Sequence, residues 1–109
     1  MDDHLEKDLH LQLQYQDEYT IWEQMIQRCT NPQWARGRSW HRYGGRGIKV
    51  CRRWKNSFTL FLLDVGKRPS GTHGRRPKYT LGRKDNDGNY EPRNVEWQTW
   101  KEQNNNRCR

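Results

Sequence analysis

The longest uninterrupted apolar run in this chain is only four residues, from Leu60 to Leu63. A membrane-spanning helix needs roughly 20 consecutive apolar residues, so no such helix is expected. Hydrophobic residues make up 30% of the 109 positions, and a chain of this length supports one small domain. Six Trp, five Tyr and two Phe compensate in part, because each aromatic ring buries a large area. We therefore expect a single compact domain whose small core depends on aromatic side chains.

Charge is distributed very unevenly along the chain. Residues 1–25 carry seven acids and one lysine, a net charge of −6, whereas residues 26–109 carry 20 bases and six acids, a net charge of +14. Between Gln24 and Lys84, sixteen Lys or Arg accompany a single acid, Asp64. Such a stripe favours nucleic acid as the partner, because a basic face that is merely solvated usually mixes charges of both signs. A membrane surface is disfavoured, since no basic helix carries a broad apolar face.

The three cysteines, an odd number without a CxxC pair, are Cys29, Cys51 and Cys108. This pattern indicates free thiols in a reducing cytoplasm, and the acidic N-terminus lacks the apolar segment of a signal peptide. A structural zinc site that combines these cysteines with His41 or His73 is disfavoured, because no two of these ligands share the short spacing of such sites. We expect Cys29 and Cys51 to be small core residues instead.

Residues 1–18 form an acidic N-terminal arm in which leucines recur every fourth position. The spacing fits a short amphipathic helix, and a frayed arm remains the alternative. The predicted nucleic-acid-binding domain covers residues 19–107. Its first helix is expected to begin at Thr20, which forms a capping-box pattern with Glu23, and to end by Asn31, the residue before a proline.

Residues 33–47 are predicted to form a loop rich in Arg and Trp. Its glycines permit tight turns and a close approach of the backbone to a ligand, and the loop leads into a short strand over Ile48–Cys51. A second helix follows, capped by Asn56 or Ser57, and its apolar stripe is expected to form the centre of the core.

Residues 67–77 are predicted to be an exposed basic loop. After it, residues 78–84 are expected to be extended, residues 85–89 to form a turn and residues 95–97 to be extended again. A capping box then opens a last helix near Thr99. The predicted fold is therefore α+β: a helix, a short sheet, a second helix and a C-terminal ββα unit.

A ββα unit of this size has the shape of a one-metal nuclease site, in which an imidazole activates water and a carboxylate helps to hold a divalent cation. The chain resembles short phage HNH-type endonucleases, related to the nuclease half of phage intron homing enzymes, in YTIWEQMIQRCTNP, YGGRGIKVCRRWKNSFTLFLLDVGKRPSG and YTLGRKDNDGNYEPRNVEWQTWKEQNNNR. These segments keep the family's order and cover most of residues 19–107. The resemblance implies an HNH-like fold, DNA cleavage with Mg²⁺ or Mn²⁺, and residence in the cytoplasm of an infected bacterial host.

In the HNH family an Asp-His pair ends the first strand of the unit, where the Asp binds the metal and the His acts as the base. Here Gly82 and Arg83 stand at those positions. A guanidinium stays protonated at neutral pH, so Arg83 cannot act as a base, although it could hold a phosphate. The resemblance therefore covers the fold better than the active site.

The resemblance assigns further roles within the same unit. Asn94 matches the middle Asn of the family motif, which pins the turn through backbone hydrogen bonds. The last ligand falls on the final helix at Gln103, Asn104 or Asn105, and Asp85 is the nearby carboxylate that could substitute as a metal ligand. The alternative for Asp85 is stabilisation of its own turn. The candidate catalytic residues are thus Arg83, Asp85, Asn94 and Asn104, of which Asp85 and Asn104 are the candidate metal ligands.

The candidate nucleic-acid contacts are basic residues of the central stripe. Aromatic residues among them, Trp34, Trp40 and Tyr43, can stack on bases of a single strand or pack under the loop. The basic candidates are Arg36, Arg38, Arg42, Arg46, Lys49, Arg52, Arg53, Arg75 and Arg76.

These features predict a DNA-binding protein, with DNA favoured over RNA, that is also a metal-dependent endonuclease if its degenerate site works. Two alternatives lack catalysis. One is a nucleic-acid binder derived from the same fold, and the other is an interaction protein, such as an inhibitor of a host defence complex. Gly82 and Arg83 favour both alternatives over the enzyme.

Overall fold

The structure, a computed structural model, describes the backbone of residues 3–107 and the side chains of residues 9–103. The chain forms one small α+β domain, as predicted. In the N-terminal arm, helix α1 spans Asp3–Gln14, and its Leu11 packs against the core. Of the two interpretations of this arm, the structure shows the helix. None of the helices within residues 3–107 is long and apolar enough to cross a membrane.

Helix α2 spans Gln16–Thr30, so the expected start at Thr20 is wrong. The helix begins earlier because Asp17 and Glu18 in its first turn favour the positive end of the helix dipole. Glu18 is buried, and its Oε2 accepts the backbone N–H of Arg68 at 2.9 Å. The predicted boundary between residues 18 and 19 therefore falls inside a continuous helix.

The predicted strand over Ile48–Cys51 is also wrong. Only Val50 pairs, in a single parallel bridge with Tyr90. The chain turns immediately afterwards into helix α3, Arg52–Lys55, which ends any extended ladder. Before this point, the predicted loop forms short 3₁₀ turns at Trp40–Arg42 and Gly44–Arg46, whereas Trp34–Gly37 is an irregular turn in which Ala35 and Arg36 have φ angles of 53° and 59°.

Helix α4, Phe58–Val65, is the second predicted helix. Of the two expected caps, Ser57 is the one used, since its Oγ accepts the N–H of Leu60 at 3.1 Å. The core beneath this helix depends on aromatic rings, as the composition indicates. Its buried hydrophobic members are Met25, Ile48, Val50, Trp54, Phe58, Phe61, Tyr90 and Val95.

The C-terminal ββα unit matches the predicted order of strand, turn, strand and helix. The bounds of its elements and of the hairpin before it are β1 Thr72–His73, β2 Arg76–Pro77, β3 Tyr79–Arg83, β4 Val95–Thr99 and α5 Trp100–Arg107. Strands β1 and β2 form a small hairpin within the exposed basic loop, and β3 pairs with β4 in antiparallel register. Helix α5 begins with the expected capping box, in which the N–H of Glu102 donates to the Thr99 Oγ1 at 3.3 Å.

Candidate nucleic-acid interface and strand-end cavity

The turn between β3 and β4 is held by the side chain of Asn94. Its Oδ1 accepts the N–H of Asp85 at 2.9 Å, while its Nδ2 donates to the carbonyls of Asp85 at 3.0 Å and Asn89 at 2.9 Å. The Oδ1 of Asp85 accepts the N–H of Asp87 at 3.0 Å, which is an Asx-turn. Asn94 thus has the bracing geometry that the resemblance implies, and the Asp85 carboxylate stabilises its own turn.

The glycine-rich loop packs against this turn. The Arg46 Nη2 lies 2.5 Å from the Asp87 Oδ1, and the backbone N–H of Lys49 donates to the Asn89 Oδ1 at 2.9 Å. Inside the loop, Gly44 and Gly45 lie so close to the Trp40 ring that a Cβ at either position would collide with that residue. Of the two alternatives for Trp40, stacking on a base or packing under the loop, the structure therefore favours packing under the loop.

The strand end where the HNH family carries its metal-binding Asp is closed by a different side chain. A Cβ on Gly82 would collide with the amide of Gln98, which is 2% exposed. The Gln98 Nε2 donates to the Glu96 Oε1 at 3.2 Å and contacts the Arg83 carbonyl at 3.5 Å. A carboxylate at position 82 would therefore require Gln98 to leave its place.

The donor set at this strand end does not fit a divalent cation that needs carboxylate oxygens. Asp85, the candidate ligand, uses its Oδ1 in the turn, and Gly82 supplies no side chain. Among the side chains of residues 9–103, no group of three or more His, Cys, Asp or Glu lies close enough to hold a metal. The side chain of Asn104, the other candidate ligand, and all of Cys108 lie outside the described residues.

Arg83 is built into the fold. It is only 8% exposed, and its Nη1 donates to the carbonyls of Asn86 at 2.7 Å and Gly88 at 2.8 Å. Its guanidinium also lies over the rings of Tyr43, 5.3 Å from the centroid, and Tyr90, at 5.1 Å. Two of its five N–H donors are therefore directed at the turn, and no carboxylate of residues 9–103 forms an ion pair with it.

Beside Arg83 lies a cavity of about 260 Å³, here called the strand-end cavity. Its lining combines the end of β3 with Gln98 of β4, the start of α5 and Arg28 of α2, and contains no Asp or Glu. Gln98 and Tyr90 form its buried floor, whereas Trp100, 38% exposed, stands at its rim.

Arg28 is the second cation of this cavity, and sequence reasoning missed it. Its guanidinium lies 5.5 Å from the Tyr43 ring centroid and 5.9 Å from that of Trp34. In the sequence it is one of sixteen bases in the central stripe, and no motif marks it. The basic stripe includes Arg28, but nothing in the sequence distinguishes it from the other fifteen bases of the stripe.

The neighbouring titratable groups do not supply a counter-charge. Burial raises the pKa of the Cys29 thiol to about 11, although Arg83 and Arg28 nearby favour the thiolate. Burial also raises the pKa of Tyr90, and Arg28 opposes this shift. Both groups are therefore neutral at physiological pH, and the positive charge of the cavity is not balanced by them.

All nine basic residues that the sequence singles out are exposed. Two of them pair with carboxylates: Arg46 with Asp87, and Arg53 with Asp64 through contacts of 2.7 and 3.1 Å. Arg76 lies 5.7 Å from the ring centroid of Trp100, which brings the β1–β2 hairpin to the rim of the strand-end cavity. Arg76 and six others make no ion pair with any carboxylate of residues 9–103, and the six are Arg36, Arg38, Arg42, Lys49, Arg52 and Arg75.

Comparison with family models, curated proteins and solved structures finds no match to this chain. No family is therefore shown for it. The resemblance to HNH-type proteins stays a prediction from the quoted sequence segments.

Proposed function

We propose that this protein is an HNH-like nucleic-acid-binding protein of a phage, with DNA as its main ligand, and that it binds without appreciable cleavage. One observation carries the proposal: nine basic side chains from one stretch of sequence are exposed, and seven of them have no carboxylate partner among residues 9–103. Exposed, uncompensated guanidinium and ammonium groups attract phosphates.

The acid content of the same stretch supports this proposal. Asp64, its single acid, accepts hydrogen bonds from Arg53 and from the Trp54 Nε1, the latter at 2.7 Å. Its charge is therefore compensated locally and does not reduce the positive potential elsewhere in the stripe. The resemblance to phage endonucleases supports DNA over RNA and the cytoplasm of an infected bacterium as the place of action.

The chemistry of the strand end supports binding without cleavage. Hydrolysis of a phosphodiester at an HNH site needs a base for the water and a carboxylate for the cation. Arg83 is protonated and faces the turn carbonyls, and Gly82 is packed against Gln98. These two residues therefore supply neither the base nor the carboxylate that cleavage needs.

The binding half of the proposal is tested by measuring duplex-DNA affinity by fluorescence anisotropy across a range of salt concentrations. The native protein should lose affinity steeply as salt increases. In the variant Arg36→Gln/Arg38→Gln/Arg42→Gln, the slope of log affinity against log salt should become shallower by roughly three. The matched control, Lys67→Gln/Arg93→Gln/Lys101→Gln, removes the same charge outside the candidate residues and should change the slope less. Absence of binding at low salt, or binding independent of salt, contradicts the proposal.

The second half is tested with supercoiled plasmid and Mg²⁺ or Mn²⁺. We expect no nicking above the buffer control. Rapid metal-dependent nicking that Asp85→Ala abolishes would show that the turn carboxylate supports catalysis, and the non-cleaving half of the proposal would then be wrong.

A further inference from the structure

Among the described residues, the lining of the strand-end cavity includes two cationic side chains and no Asp or Glu. Charged side chains that are buried in proteins are normally paired. Arg83 is 8% exposed, yet the ion pairs among residues 9–103 involve Arg46, Arg53 and Arg68, and neither Arg83 nor Arg28. Carbonyls and aromatic rings stabilise both guanidinium groups without neutralising them. The electrostatics of the cavity therefore favour an anionic ligand.

The walls of the cavity suit more than a bare anion. Trp100 contributes an indole ring at the rim, and amide and hydroxyl groups line the remaining wall through Gln103 and Thr80. The volume of about 260 Å³ lies just below the range of roughly 300–1,000 Å³ that is usual for small-molecule sites. This space is suited to one nucleotide and is too small for a base pair with its backbones.

We propose that the strand-end cavity takes one unpaired nucleotide of the bound DNA, with its phosphate near Arg28 and Arg83 and its base against Trp100. This inference rests on the proposed function and adds the class of DNA that is preferred. A paired nucleotide must first leave its helix stack, which costs free energy, whereas a bulged nucleotide is already unpaired. Stacking on an aromatic side chain then adds affinity with little dependence on base identity.

The position of the cavity fits this ligand. Arg76 of the exposed hairpin lies over the Trp100 ring at the rim, so a basic side chain is already present where the neighbouring backbone would pass. A duplex that contacts the exposed arginines can therefore place one extruded nucleotide at the cavity without losing its phosphate contacts.

The test compares two DNA duplexes of identical sequence at one salt concentration, of which one carries a single bulged nucleotide. We expect the native protein to bind the bulged duplex about tenfold more tightly. In Arg28→Gln this ratio should fall close to one, whereas in the control Arg93→Gln, an exposed arginine outside the cavity, it should be unchanged. Because Arg28→Gln also removes the contacts of the guanidinium with the Trp34 and Tyr43 rings, Trp100→Ala at the rim provides an independent variant, and Trp100→Phe should keep most of the preference.

A bulge also makes DNA easier to bend, so a third duplex carries an abasic bulge with the same flexibility and no base. We expect this duplex to lose most of the preference. Equal affinity for the base-containing and abasic bulges, or for the bulged and fully paired duplexes, overturns the cavity proposal and leaves DNA binding intact. Absence of binding to every duplex overturns the proposed function together with the cavity proposal.

Discussion

Two arginines on the surface of this molecule, Arg46 and Arg53, and the two arginines at its strand-end cavity meet opposite kinds of partner. On the surface, Arg46 contacts Asp87 at 2.5 Å, and Arg53 makes a two-contact pair with Asp64. In the cavity, Arg83 and Arg28 face tyrosine rings, and Arg83 also donates to two backbone carbonyls. The surface pairs are neutral overall, whereas the cavity keeps its positive charge.

This difference shows that an arginine's role depends on its partner more than on its exposure. Arg46 and Arg53 are exposed, so they look available to phosphate in a sequence-based list, but carboxylates already compensate them. Arg83 is buried and looks structural, yet its charge is uncompensated. Charge that is buried and unpaired costs the folded protein stability, which a bound anion would recover.

The largest effect is expected from Arg83→Met, which keeps the aliphatic stem of the side chain and removes the guanidinium donors. The carbonyls of Asn86 and Gly88 lose their charged partner, and this loss exceeds what removal of the unpaired buried charge recovers, so the free energy of unfolding should fall by about 3 kcal/mol. Urea denaturation measures this change. The matched variant Arg46→Met breaks an exposed pair and should cost about 1 kcal/mol or less. If the two variants cost the same, the distinction between the two sets of arginines is wrong.

A smaller effect is expected from Gly82→Ala, which tests how tightly Gln98 closes the strand end. The new methyl group displaces the Gln98 amide, and overpacking of this kind should lower the free energy of unfolding by about 2 kcal/mol. In a Gln98→Ala background the same change should cost clearly less, since the colliding group is gone. Thermal unfolding of the four proteins in this cycle gives the coupling. Additive costs would mean that Gln98 does not occupy the space beside Gly82.

The smallest effect on stability is expected from Asp64→Asn, which changes the carboxylate partner of the surface residue Arg53. The hydrogen bond from Arg53 holds the pKa of Asp64 below its ordinary value, with Trp54 adding to this. A carboxyl group with a lowered folded-state pKa stabilises the protein fully above its ordinary pKa, and this contribution is lost as the pH falls through the folded-state pKa. The variant should therefore be less stable than native by about 1 kcal/mol at neutral pH. The difference in unfolding free energy between the native protein and the variant, measured by urea denaturation across pH, should disappear at acidic pH. A difference that does not change with pH would contradict this account of the Arg53–Asp64 pair.

The sequence by itself determined features that depend on neighbouring residues. It predicted the end of α2 at Asn31, because the residue before proline disfavours helical backbone, the cap of α5 at Thr99, and a cap of α4 at Asn56 or Ser57, of which Ser57 is used. The Asx-turn of Asp85 also follows from a contact two residues along the chain. Each of these interactions joins residues that lie within a few positions of each other, so both partners are visible in a short segment of the sequence.

The tertiary structure alone decided where chain segments far apart in sequence meet. Val50 pairs with Tyr90 rather than extending a strand, and Gln98 of β4 occupies the space beside Gly82 of β3. Arg28 of α2 and Arg83 of β3 line one cavity, in which both guanidinium groups lie against the Tyr43 ring. Local propensity does not fix such contacts, because burial and packing against distant side chains choose which of sixteen similar basic residues share a cavity and which are neutralised at the surface.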